Sequence, residues 1–359
     1  MASPTTAKRV IAGMFVLACP LIAIFCIIKP KTAPPEPSHI PLVAATRVSA
    51  APQWAETPLS GNIPYQWYSQ SSFLYCRYDH SLGAATVSRG EHDVTGAVLR
   101  SWQSIGGDLE DTGPTGPADW MLSPDRRWLL TYLGVPGKRR WAAISLDGKQ
   151  RRTYPARFGF RPLVCWKGDS SGWVELFLGS AGPTAASYSV AANAPTPSLT
   201  PLATNHEGYY GRPVPLGGTI DNGIVIATWA EDERHRVPMH IIHPGSSSIP
   251  SVRTKVLLPR QADFMEIELS PDGRRLAWVF VVPNHRRHGL RLPFFKSSTP
   301  DIDQQLWVSD LDGGKMHRIA AGDSVSKEEL TTIHFVRWLP DGKTLSFVDH
   351  DSIYTVTSE

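Results

Sequence analysis

Three segments of the chain share one layout: LSPDRRWLLTYL (122–133), LSPDGRRLAWVF (269–280) and WLPDGKTLSFVD (338–349). Each starts at an apolar strand end, passes through Pro-Asp and a turn, and continues into an apolar run. Proline presets φ for the first turn position, aspartate caps the turn through the backbone, and glycine accepts a positive φ. The first copy carries Arg126 where the others carry Gly273 and Gly342, so its turn must form in a less permissive geometry.

A second element follows two of these copies. RRWAAISLDGKQRRTY (139–154) comes after the first, and QLWVSDLDGGKMHRIA (305–320) comes after the second, beyond an insertion. Each is a strand, an Asp-Gly turn and another strand, which is a hairpin signal. One unit is therefore four strands, repeating every 45–55 residues or about that. A four-stranded antiparallel sheet cannot bury both faces alone, whereas radial stacking covers them and leaves only short edges. The expected fold is all-β, a β-propeller. A repeating β-sandwich does not explain a turn that recurs at a fixed place.

Six units are expected, at 65–105, 118–155, 160–203, 212–259, 264–321 and 333–359, with seven blades as the alternative. PLVCWKGDSSGWVELFL and ASYSVAA mark the third, GIVIATWAE and VPMHIIHPG the fourth. Their turns, Lys167-Gly168-Asp169 and Asp221-Asn222-Gly223, depart from Pro-Asp-Gly. The last unit runs out of chain after three strands, and a strand near Ala55–Asn62 is expected to supply the fourth and close the ring.

The repeat resembles the TolB-type propeller repeat, in which Ser-Pro-Asp-Gly joins the first two strands of a blade. The resemblance is most specific over 269–320, good over 121–152 and 336–356, and covers roughly a third of the chain directly. It implies a propeller with a WD-like repeat. A role in envelope translocation would follow from analogy alone, because shared fold does not establish function.

Composition supports a folded sheet protein. Hydrophobic residues make up 42% and charged residues 19%, which argues against wholesale disorder. The net charge is only +3. The nearest basic clusters are Lys138, Arg139 and Arg140 with Lys149, Arg151 and Arg152, and the run His285 to His288. Nothing gathers them into one stripe, so nucleic acid is not an expected partner.

Residues Val10 to Ile28 read VIAGMFVLACPLIAIFCII, uncharged throughout and long enough for a membrane-crossing helix. The expected organisation is a short tail at 1–9, a transmembrane signal-anchor helix at 10–28, a Pro/Ala-rich linker at 29–53 and a propeller at 54–359. A cleaved secretory signal is one alternative. Val16-Leu17-Ala18-Cys19 also resembles a lipoprotein cleavage box. The expected location is the membrane, single-pass, with the C-terminal domain outside the cytoplasm.

Searching for chemistry returns little. There is no Gly-x-Ser-x-Gly elbow, phosphate loop, His-Glu-x-x-His or EF-hand loop. His240 and His243 are three apart, which puts them on opposite faces of a strand and is wrong for a shared metal. No CxxC pair exists, and spacing gives no support to a Cys76–Cys165 disulfide. No catalytic residue, metal or cofactor is assigned. The most distinctive feature is the insertion between Val281 and Gln304, with Arg286, Arg287, Arg291, Phe294, Phe295 and Lys296 as binding candidates. The bland alternative is that both rings fill the propeller edge. These features point to a membrane-anchored binding or scaffold module with a protein partner. The alternative is a propeller enzyme, a polysaccharide lyase or hydrolase. Its structural sign would be three or more His, Asp, Glu or Arg side chains converging at the central channel.

Overall fold

A computed structural model describes residues 45–50, 65–76, 82–86, 95–97, 120–133, 140–155, 163–179, 182–191, 197–201, 212–229, 236–243, 252–259, 262–283, 302–321, 333–349 and 352–359. The first strand, β1 (Thr46–Ala50), belongs to the sheet formed by the end of the chain. The next sheet is β2 (Tyr65–Trp67), β3 (Ser72–Cys76), β4 (Leu82–Thr86) and β5 (Thr95–Ala97). Then come β6 (Trp120–Leu122), β7 (Trp128–Leu133), β8 (Arg140–Ser145) and β9 (Arg151–Pro155). A third sheet holds β10 (Leu163–Trp166), β11 (Trp173–Gly179), β12 (Gly182–Ser187) and β13 (Ser198–Pro201). The fourth holds β14 (Arg212–Gly218), β15 (Ile224–Trp229), β16 (Arg236–Ile242) and β17 (Val252–Leu257). The fifth holds β18 (Asp263–Leu269), β19 (Arg275–Pro283), β20 (Ile302–Asp310) and β21 (His317–Ala321). Last are β22 (His334–Trp338), β23 (Thr344–Asp349) and β24 (Ser352–Thr357). Among the described residues this makes six four-stranded sheets, each a simple meander apart from the one that recruits β1.

Strand periodicity explains how the sheets pack. Along β19, Leu276, Trp278 and Phe280 face one way and meet Val225, Val237, Met239 and Val256 of the fourth sheet. Ala277 and Val279 face the other way and meet Val336, Leu345 and Phe347 of the last. A strand covered on both faces reads as a continuous apolar run, not an alternating one. The same division holds in β7, where Leu129 packs with Leu74 of the first sheet and Leu130 with Trp166 and Trp173 of the third. Val174 and Leu176 meet Ile224 and Ile226. Finally Leu339, Val348 and Ile353 meet Tyr65, Trp67 and Phe73, so the last sheet packs on the first. The fold is a β-propeller.

The closing strand differs in place from the sequence expectation. β1 pairs with β24 through Thr46↔Thr355, Arg47↔Tyr354, Ser49↔Ile353 and Ala50↔Ser352. It therefore lies upstream of Ala55–Asn62, inside the stretch 29–53 that composition marks as a linker. Thr46 and Val48 carry a short alternating signal that the surrounding Pro and Ala obscure. Val48 packs against the Tyr65, Trp67 and Phe73 cluster. Residues 10–28 lie outside the described residues. Among those described, no helix is long and apolar enough to cross a membrane. Every described sheet lies within residues 35–359, a compact unit.

Candidate functional site

The site begins with the turn that follows each innermost strand. In five sheets the fourth turn residue donates its N–H to the first residue's carbonyl: Arg126 to Ser123 at 2.9 Å, Ser170 to Lys167 at 3.0 Å, Asn222 to Thr219 at 3.0 Å, Gly273 to Ser270 at 2.8 Å and Gly342 to Leu339 at 3.0 Å. All five donors have positive φ, at 60°, 60°, 62°, 67° and 62° respectively. The aspartate just before each accepts the next N–H: Asp125 from Arg127, Asp169 from Ser171, Asp221 from Gly223, Asp272 from Arg274 and Asp341 from Lys343. The two turns that lack Pro-Asp, and the one with Arg126 in place of glycine, thus use the same device. An aspartate cap and a left-handed residue are what it requires.

These turns pack against one another around one mouth of the propeller. The Ser170 hydroxyl accepts the Asp125 N–H at 2.9 Å. Gly168 and Gly218 touch so closely that a Cβ on Gly168 would sit 2.1 Å from the Thr219 carbonyl oxygen. The Arg275 guanidinium donates to the Gly342 carbonyl and stacks on Trp338 with 5.2 Å to the ring centroid.

Inside this rim, the innermost strands β2, β6, β10, β14, β18 and β22 line one cavity of about 570 Å³. Its walls are mostly apolar, with Trp67, Leu122, Val164, Trp166, Leu216, Ile267 and Trp338 among them. Gln66 bridges two strands by accepting the Leu122 N–H at 2.7 Å.

A charge cluster sits within these walls. Glu266 and Glu268 are two apart on β18 and so share a face. Arg337, from neighbouring β22, brings its Nη1 to 2.9 Å from Glu266 Oε1 and 3.4 Å from Glu268 Oε2. The same Nη1 donates to the Val336 carbonyl at 2.5 Å, while Glu266 Oε2 accepts the Val336 N–H at 3.1 Å. Arg337 is 8% exposed, whereas Glu268 keeps 30% of its side chain open to the cavity. Depth in the protein pushes the Glu268 carboxyl up to about 7; Arg337 and Arg126 oppose the rise and Glu266 adds to it. Burial would lower Arg337, but the two glutamates outweigh it and hold it above its ordinary value. Burial raises the Tyr65 phenol. Arg126 also lines the cavity. Burial lowers its guanidinium, against the pull of Glu268 and Asp125. The Nε atoms of Arg126 and Arg337 are both buried without a hydrogen-bond partner.

Arg126, Glu266, Glu268 and Arg337 were not among the sequence candidates. The Glu-x-Glu spacing on an inner strand and the arginine in a glycine position were the available signals. The candidates that were named, Arg286, Arg287, Arg291, Phe294, Phe295 and Lys296, lie outside the described residues. Their insertion leaves β19 at Pro283 and re-enters β20 at Ile302, which pair with each other. That end of the sheet is opposite the Ser270–Arg274 turn. Lys149 and Arg151 are exposed on the β8–β9 hairpin, and Arg152 stacks over Trp128 at 5.3 Å. His240 is buried in β16, and among the described residues no group of three or more His, Cys, Asp or Glu could hold a metal. Cys165 is a free buried thiol, which burial pushes up to about 12.

The chain is similar to several solved structures at low identity. A TolB-designated protein of Agrobacterium tumefaciens is 15% identical, with a TM-score of 0.48 over 88% of this chain and 98% of its own. Hydrazine synthase of Kuenenia stuttgartiensis is 13% identical, with a TM-score of 0.46 over 82% of this chain and 75% of its own. TolB of Acinetobacter baumannii is 14% identical, with a TM-score of 0.43 over 76% and 64%. No family model matches the chain, and no curated protein matches its sequence. At these identities the likeness carries nothing about activity.

Proposed function

We propose that this chain is a binding module, a six-bladed propeller that holds a ligand in its central cavity. In this reading residues 10–28 anchor it in a membrane and the propeller lies outside the cytoplasm. The insertion at 281–304 offers a protein partner a second surface at the other mouth. The observation that carries the reading is the cavity itself. Its volume falls in the range of ordinary ligand sites, and apolar walls surrounding a few fixed polar groups are the usual composition of such sites.

The test is a thermal-shift screen of a metabolite and peptide library on the full-length protein in detergent. The same screen is run on Val164→Trp, which fills the cavity from β10. Compounds that raise Tm in the natural protein should lose their effect in the variant. If no compound shifts Tm, or if the shifts survive Val164→Trp unchanged, the cavity is not the binding site.

One observation favours a second reading. Arg126, Glu266, Glu268, His334 and Arg337 all line the cavity, the sign expected of a propeller hydrolase or lyase. A glutamate near 7 is suited to proton transfer at neutral pH. Against it, Arg337 and Glu266 are consumed by each other and by Val336. Turnover of a glycoside or peptide library, lost in Glu268→Gln, would establish the enzyme.

A further inference from the structure

Arg126 carries two costs at once. Its φ of 60° lies in the left-handed region, where a residue with a Cβ is strained. Two other copies of the same turn hold Gly273 and Gly342 at this place. Its Nε is also buried without a partner, a costly state for a charged group. Glycine would remove both costs and still form the turn, as it does in the sister copies. The turn therefore has no need of this side chain, which instead lines the central cavity.

We propose that Arg126 anchors an oxyanion, and that the ligand of the central cavity carries a carboxylate or phosphate group bound by this guanidinium. The inference rests on the cavity being the binding site. A guanidinium offers a planar fork of donors that matches the oxygens of either group. Trp67, Trp166 and Trp338 present apolar surface for the body of the ligand.

Charge balance sets the pH dependence. Arg126 and Arg337 are cations; Glu266 and Glu268 are carboxyls; the His334 imidazole also lines the cavity, from β22. Glu268 is faced by Arg337 from β22, by Arg126 from the β6–β7 turn and by its strand neighbour Glu266. Tyr65, from β2, acts on Arg337 and feels both glutamates. Ionised, Glu268 repels an entering anion; protonated, it leaves the site with a net positive charge. Binding is therefore linked to proton uptake at Glu268 and tightens as pH falls through about 7.

The experiment titrates the full-length protein in detergent with phenylacetate, phenyl phosphate and the neutral phenylacetamide. Tryptophan fluorescence and Tm are the readouts. One or both anions should bind saturably, with the amide weaker by about tenfold or more. The tighter anion identifies the oxyanion, carboxylate or phosphate. Arg126→Gly should raise the Tm of the unliganded protein and bring anion binding down to the level of the amide. Glu268→Gln should bind the anion with acid-limb affinity at every pH. If the amide binds as tightly as the anions, or if Arg126→Gly binds them unchanged, the anchor is wrong while a cavity ligand remains. A lower Tm for Arg126→Gly would mean that the side chain holds the fold, and would overturn the proposal. No binding of any probe also overturns the anchor; the cavity itself then stands or falls on the Val164→Trp screen.

Discussion

The Ser346 hydroxyl oxygen accepts the Trp67 indole N–H at 2.7 Å, across 279 residues of chain. The same hydroxyl lies 2.9 Å from the Tyr65 OH and donates to the Arg337 carbonyl at 3.2 Å. Ser346 belongs to the last sheet, and Tyr65 and Trp67 belong to the first. One small buried side chain therefore serves the polar groups at the seam where the propeller closes. Ser346→Ala leaves the indole N–H without its acceptor and should cost about 1–3 kcal/mol. Urea denaturation measures this; a change below about 0.5 kcal/mol would mean that the seam is held by its apolar contacts alone.

Glycines in the turn ring should differ sharply in their tolerance of alanine. At Gly168 a Cβ would meet backbone, 2.1 Å from the Thr219 oxygen, and the backbone cannot swing aside. Gly168→Ala should cost about 3 kcal/mol or more. At Gly342 the nearest atom is 3.9 Å away, and only the φ of 62° is strained, so alanine there should cost about 1 kcal/mol. Thermal melts of the two variants give the order, and equal losses would contradict the close approach of the turns.

Stability should fall with rising pH through Glu268. Its carboxyl ordinarily titrates near 4.5 and is raised to about 7 in the fold. Between these values the folded protein binds more protons than the unfolded chain, so the contribution is complete below about 4.5 and is lost as pH rises through about 7. The partial exposure of Glu268, 30% of its side chain, limits the size to ~2 kcal/mol. Urea unfolding of the natural protein and of Glu268→Gln, compared between these pH values, isolates the effect. Parallel curves would remove Glu268 as its source.

Removal of β1 should expose β24 as an unprotected edge. A chain beginning at residue 51 loses the four pairings with β24 and the Val48 contact. It should lose stability and associate through the open strand, whereas a chain beginning at residue 36 should not. Size-exclusion chromatography and limited proteolysis distinguish the two. Identical behaviour would mean that the last sheet is stable with three strands.

Local chemistry was readable wherever one short stretch contained all of it. Pro271-Asp272-Gly273 and Pro340-Asp341-Gly342 announce their turns because φ, cap and left-handed residue lie side by side. Lys167-Gly168-Asp169-Ser170 reads as a turn but not as the same one, because Ser170 stands where Gly273 and Gly342 do and still adopts a φ of 60°. The strand at Thr46–Ala50 was hidden in another way. Its partner, β24, lies at the far end of the chain, and no local signal names a partner.

The amino-acid order alone determined the repeating hairpin, the buried apolar runs and the need for sheets to cover one another, since these follow from turn geometry and two-residue alternation within a few positions. Only the tertiary structure decided that Arg337 would lie over Glu266 and Glu268, and that Arg126 would line the same cavity. Those neighbours come from different sheets and meet only when the ring closes. A central site in a propeller is assembled from one strand per sheet, so its chemistry is spread along the whole chain and gathered by packing.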